Sequence, residues 1–75
     1  MDYRYKFSVR LAALRKQRGL SMSALGGVLH VSDEAVRLLE RGKRSPSFEI
    51  LIALADHFNV SLDYLCGRSD DPQLH

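Results

Sequence analysis

Seventy-five residues suit one small domain with a modest core and leave little room for a second. At 45% apolar and 27% charged, the composition is globular rather than disordered, and no apolar run approaches the about 20 residues that a bilayer-crossing helix needs. The formal charge of +2 is unevenly spread: residues 1–44 hold ten Lys or Arg against Asp2, Asp33, Glu34 and Glu40, and residues 45–75 hold only Arg68 against five acids, so the N-terminal part either faces a polyanion or presents solvated helix faces.

No strand signal rises above noise, and five helices fit the pattern. The chain opens on Met1-Asp2-Tyr3-Arg4, which leads into a polar helix rather than an apolar secretory segment. The expectation is a soluble cytoplasmic protein. Phe7, Leu11 and Leu14 recur at i, i+4 and i+7 and build the apolar face of the first helix, with Gly19 as its left-handed stop. Ser21 caps the second helix, whose face is Met22, Leu25, Val28 and Leu29. Gly26-Gly27 costs that helix up to about 1 kcal/mol per glycine relative to Ala. Tolerating the cost implies a backbone packed closely against another helix, at least at Gly26.

Only His30 and Val31 separate this run from Ser32, which caps the third helix. Asp33 and Glu34 suit the positive end of that helix, and Gly42 ends it. Lys43 to Ser45 form a basic loop before Pro46. Ser47 caps the fourth helix, with the face Phe48, Leu51, Ile52, Ala55 and Phe58, and Asn59 is its left-handed stop. Ser61 caps a last short helix, Leu62 to Cys66, closed by Gly67. The organisation expected is one domain over residues 1–67 and a short flexible acidic tail over 68–75.

A tight helix-turn-helix beside a basic loop is how small folds place one helix in the DNA major groove. Projected at 100° per residue, Ser32, Val36 and Leu39 share the core side of the third helix. Glu34, Leu38 and Arg41 lie opposite, flanked by Arg37. Leu38 suits a thymine methyl, Arg37 and Arg41 suit guanine edges or phosphates, and Asp33 or Glu34 can accept from cytosine N4. Equally, Asp33 or Glu34 can form surface ion pairs with Arg37, and Leu38 can pack on a partner chain or simply lie exposed. For phosphates the candidates are Arg41, Lys43 and Arg44, with the Met22 and Ser23 amides at the N-terminus of the helix that Ser21 opens. The alternative for the loop is plain solvation.

The chain resembles the phage-repressor or Cro-type helix-turn-helix family, also called the xenobiotic-response-element family. The likeness covers about residues 7–67. It rests on Phe7, Leu11 and Leu14-Arg15, on Gly19-Leu20-Ser21, on Leu25-Gly26, and on Leu29-His30-Val31-Ser32. It continues through Val36, Leu39-Glu40-Arg41-Gly42-Lys43-Arg44, Pro46-Ser47 and Val60-Ser61-Leu62-Asp63-Tyr64-Leu65. The resemblance implies an all-α, compact five-helix, lambda-repressor-like fold with helices two and three as the helix-turn-helix. Ser32 to Arg41 becomes the recognition helix, with Ser32 among its base-facing residues. Arg15 and Glu40 become a partly buried ion pair joining the first and third helices. The family usually binds palindromic double-stranded operators as homodimers and regulates transcription, which implies a bacterial or phage cytosol and association with the nucleoid. Three positions depart from the family pattern. Met22 stands where Gln commonly bonds a phosphate, His30 where the turn often has Gly, and Asp33-Glu34 where neutral or basic residues are usual.

A homodimer through the last helix is expected from Tyr64, Leu65 and Leu74. The competing reading is a protein-interaction module on the same fold, an antitoxin-like or anti-repressor partner docking on Met22, Leu38 and Ile50. Enzyme chemistry lacks a basis: there is no catalytic pairing and no phosphate-binding glycine loop. His30, His57 and His75 are spaced unlike local metal ligands, so neither metal nor cofactor is expected. Lone Cys66 reads as a small apolar residue near a helix end.

Overall fold

A computed structural model describes residues 2–73. Five helices follow one another: α1 (Tyr3–Gln17), α2 (Met22–Leu29), α3 (Asp33–Glu40), α4 (Phe48–Phe58) and α5 (Leu62–Leu65). No strand occurs among the described residues. Each start is written in a cap. Ser21, Ser32, Ser47 and Ser61 accept from the amides of Ala24, Ala35, Ile50 and Tyr64 in turn, at 2.9–3.2 Å. Such caps contribute about 1 kcal/mol each. α1 begins about a turn upstream of Phe7, its first buried residue, because Asp2 accepts from the Tyr5 amide. The stops are equally local: Gly19, Gly42 and Gly67 take positive φ, as do His30 (58°) and Asn59 (56°).

The core joins all five elements. Phe7, Leu11 and Leu14 of α1 meet Leu25 and Leu29 of α2, Val36 and Leu39 of α3, Leu54 and Phe58 of α4, and Leu65 of α5. Three expected core positions are corrected. Val28 is exposed, and Phe48 is 72% exposed at the first turn of α4, since Leu54 rather than Phe48 completes the inward stripe with Ala55 and Phe58. Ser32 is exposed too: as a cap it lies outside the helical projection, and Ala35 takes the inward place beside Val36 and Leu39. Leu65 is fully buried, so it has no surface to offer a second copy. The ring of Tyr64 is covered by the Arg10 guanidinium, 3.8 Å from its centroid. Leu74 and His75 lie outside the described residues.

The segment after Gly67 folds back on the domain as far as it is described. The Arg68 and Ser69 amides donate to the Asp63 carbonyl, and the Ser61 amide donates to the Pro72 carbonyl at 3.0 Å. Asp70 reaches Arg10 at 3.5 Å.

Gly26 is buried against the turn and the backbone of Ser32, the cap that opens α3. A Cβ there would lie 2.6 Å from the Val31 carbonyl oxygen and 3.3 Å from that of Ser32, whereas one at Gly27 would meet nothing within 4 Å. Gly26→Ala is therefore expected to lower unfolding stability by about 1–3 kcal/mol. Gly27→Ala is expected to raise it by about 0.5–1 kcal/mol. Urea unfolding of the two variants side by side checks both signs.

Candidate nucleic-acid interface

The turn between α2 and α3 is built around His30, whose left-handed backbone lets the chain reverse. The Val31 amide then donates to the Gly26 carbonyl at 2.9 Å, closing the end of α2. Val31 packs against the core and Ser32 starts α3 at once. The sequence had a glycine-like requirement at His30, and His meets it at modest cost.

α3 turns Ala35, Val36 and Leu39 inward. Asp33, Glu34, Arg37 and Arg41 are exposed and Leu38 is half-buried. Of the two carboxylates offered as partners for Arg37, Glu34 is the one it meets, as an i, i+3 ion pair. The C-terminal end of α3 is tied inward. Arg15 donates from Nε to Glu40 Oε2 at 2.5 Å, from Nη2 to Oε1 at 3.1 Å and from Nη1 to the Leu20 carbonyl at 2.9 Å. The two side chains are only 12% and 6% exposed. The Glu40 hydrogen bond holds the Arg15 proton more tightly than usual, outweighing the opposing effect of burial.

On the candidate phosphate side, Ser21 and Ser23 are exposed at the start of α2, and Arg41, Lys43 and Arg44 are exposed around the end of α3. The Ser21 hydroxyl oxygen is occupied by the Ala24 amide. Met22 and Ile50 pack against the core margin. With Leu38 half-buried, the three do not form the open apolar docking surface that a protein-interaction module was expected to use.

Sequence reasoning missed where several cations go. Arg18 donates to the Phe58 carbonyl at 2.8 Å and lies over its ring, and Arg10 sits between Tyr64 and Asp70. Partners 40 and 60 residues away leave no local signal. Arg15, Arg10 and Arg18 thus each have partners distant in sequence, although Arg18 itself stays exposed. The basic residues left in the open include Lys43 and Arg44. Cys66 is half-buried at the end of α5. Burial, helped by Asp63 and opposed by Arg68, pushes its thiol pKa up, which leaves little thiolate at neutral pH. Among the described residues, no cluster of His, Cys, Asp and Glu could hold a metal ion, and no helix is long and apolar enough to cross a membrane.

A family model for helix-turn-helix proteins matches residues 11–65, which takes in all of α2 and α3. The chain is 36% identical over 64 residues to the HTH-type transcriptional regulator AnsR of Bacillus subtilis (strain 168), covering 85% of this chain and 55% of AnsR. It is 32% identical over 63 residues to the cryptic phage CTXphi transcriptional repressor RstR of Vibrio cholerae, covering 84% of this chain and 56% of RstR. The crystal structure of the P22 c2 repressor in complex with synthetic operator 9T matches with a TM-score of 0.74 at 36% identity, over 79% of this chain and 89% of that one. The chain spans about half the length, or less, of the curated relatives it matches.

Removing the Glu40 carboxylate strands the Arg15 charge inside the fold. Glu40→Ala is expected to cost about 3–5 kcal/mol, and the apolar pair Arg15→Met with Glu40→Leu to recover most of that loss. Equilibrium denaturation measures both, and an unchanged midpoint for the single variant would contradict the account.

Proposed function

This chain belongs to the helix-turn-helix family, and we propose that it is a sequence-specific, double-stranded-DNA-binding regulator of transcription that acts as a repressor. The observation that carries this reading is the likeness to a repressor solved on operator DNA. α3 enters the major groove as the recognition helix, with Ser32, Asp33, Glu34, Arg37 and Leu38 toward the base edges. Arg41, Lys43 and Arg44 hold phosphates, together with the α2 N-terminus at Ser21, Met22 and Ser23, where backbone amides make the contact that Met22's side chain does not. Residues 1–67 are the proposed binding unit, and the acidic segment that follows Gly67 lies outside the proposed DNA contacts.

Two copies read the half-sites of a palindrome spaced by about one helical turn. With Leu65 in the core, α5 contributes Leu62, which is exposed, to such a dimer. The protein works in the cytosol of a bacterium or of a phage's host, at the nucleoid, and needs no metal, cofactor or catalytic step.

Lys43→Ala and Arg44→Ala are each expected to weaken binding to every duplex alike and to flatten the logarithmic salt dependence by about one unit. Titrations of a labelled duplex over a range of salt concentrations check this. A slope unchanged in both variants takes the loop out of the interface.

A further inference from the structure

We propose that Glu34 and Arg37 act as one reading unit that selects a G·C base pair, an inference that rests on α3 occupying the major groove. The two side chains are ion-paired on the solvent face of α3 and are 54% and 45% exposed. Neither is claimed by the core, unlike Glu40 at the end of the same helix, which is buried against Arg15 of α1. Paired, they are close to neutral toward the DNA backbone: a carboxylate repels the phosphates that its partner attracts. They therefore add little to non-specific binding, and what they offer is a pattern of donors and an acceptor.

That pattern has a match. A guanidinium carries five N–H donors, so Arg37 can keep one on Glu34 and present two to a base. Beside them stands a carboxylate, which only accepts. Across the major groove, G·C shows two acceptors, N7 and O6, and then the cytosine N4 donor. A·T shows an acceptor, a donor and an acceptor. Two donors followed by an acceptor fit G·C in order. On A·T the guanidinium meets the adenine amino group and the carboxylate meets thymine O4, so groups of like character face each other. Asp33, the neighbouring carboxylate, is not the partner that Arg37 meets. Leu38, the next residue, is half-buried and offers only apolar surface, so the neighbouring base pair gives an internal reference position.

Selection from a random duplex pool tests this with the wild type, Glu34→Gln, Arg37→Gln and the double variant. All four are expected to melt within a few degrees of one another, since both positions are exposed. The wild type is expected to enrich a motif with one G·C position per half-site, favoured by about ten-fold or more over A·T. Glu34→Gln and Arg37→Gln are expected to lose most of that preference at the same position, and the double variant to lose no more than either single one. Preferences at the reference position stay as in the wild type. If the two variants alter different positions, or neither alters the motif, the paired reading is wrong while the operator-binding reading stands. If Glu34→Gln tightens binding to every duplex without changing the motif, the carboxylate only repels phosphate and the proposal fails. If the wild type enriches nothing, the operator-binding reading falls and takes this proposal with it.

Discussion

A guanidinium and a carboxylate withdrawn from water each cost several kcal/mol unless they meet in good geometry. Arg15 and Glu40 meet as a fork, and much of the helix pair depends on it. α3 is eight residues long, too short to hold helical form alone in water. Its N-terminal end is placed by the close approach of Gly26 to the Val31 and Ser32 backbone. Its C-terminal end is placed by Glu40. Because Arg15 also donates to the Leu20 carbonyl, just ahead of the Ser21 cap, one side chain sets the spacing of α1, the entry to α2 and the exit of α3. A short helix pinned at both ends presents its outward residues at a fixed angle, as readout of base edges requires.

The distribution of cations follows from the same economy of a small core. A domain of this size buries too little apolar surface to waste long side chains, so Arg10 and Arg18 lay their stems and guanidinium faces over Tyr64 and Phe58. These contacts dock α1 against α5 and the end of α4, and they give two of the cations partners on the domain itself. The imbalance between the two halves of the sequence thus overstates the charge open to a polyanion. What remains concentrated and exposed is the run from Arg41 to Arg44, beside the end of α3.

Local chemistry was legible and distant chemistry was not. The serine caps, the positive-φ stops at Gly19, Gly42, Gly67 and Asn59, and the strained turn at His30 each depend on a few neighbouring residues, so the sequence carries them in plain form. Periodicity also marked Phe7, Leu11 and Leu14 as one face. It misjudged Val28 and Phe48, because a repeat says which residues share a stripe and not how far a neighbouring helix extends to cover it. It misjudged Ser32 because a capping residue leaves the helix whose projection was applied to it. The Arg15–Glu40 pair joins residues 25 apart, so no helical spacing implies it and only the family resemblance does. Helical spacing allows Arg37 two partners, Asp33 and Glu34, and the folded chain pairs it with Glu34.

The acidic start of α3 is less contradictory than it looks in a helix proposed to meet DNA. Asp33 and Glu34 occupy the first turn, where unpaired amides make a partial positive charge, and carboxylates there stabilise a short helix by about 0.3–1 kcal/mol each. The inward residues Ala35, Val36 and Leu39 are held by the core and leave the fold no freedom there. Positions 33, 34, 37, 38 and 41 are free of that constraint. A sequence that places acids at two of them gains helix stability, and the phosphate attraction given up there falls, in the proposed interface, to Lys43 and Arg44. In that proposed interface, attraction to the backbone and discrimination among bases are carried by different residues, so one can change without the other.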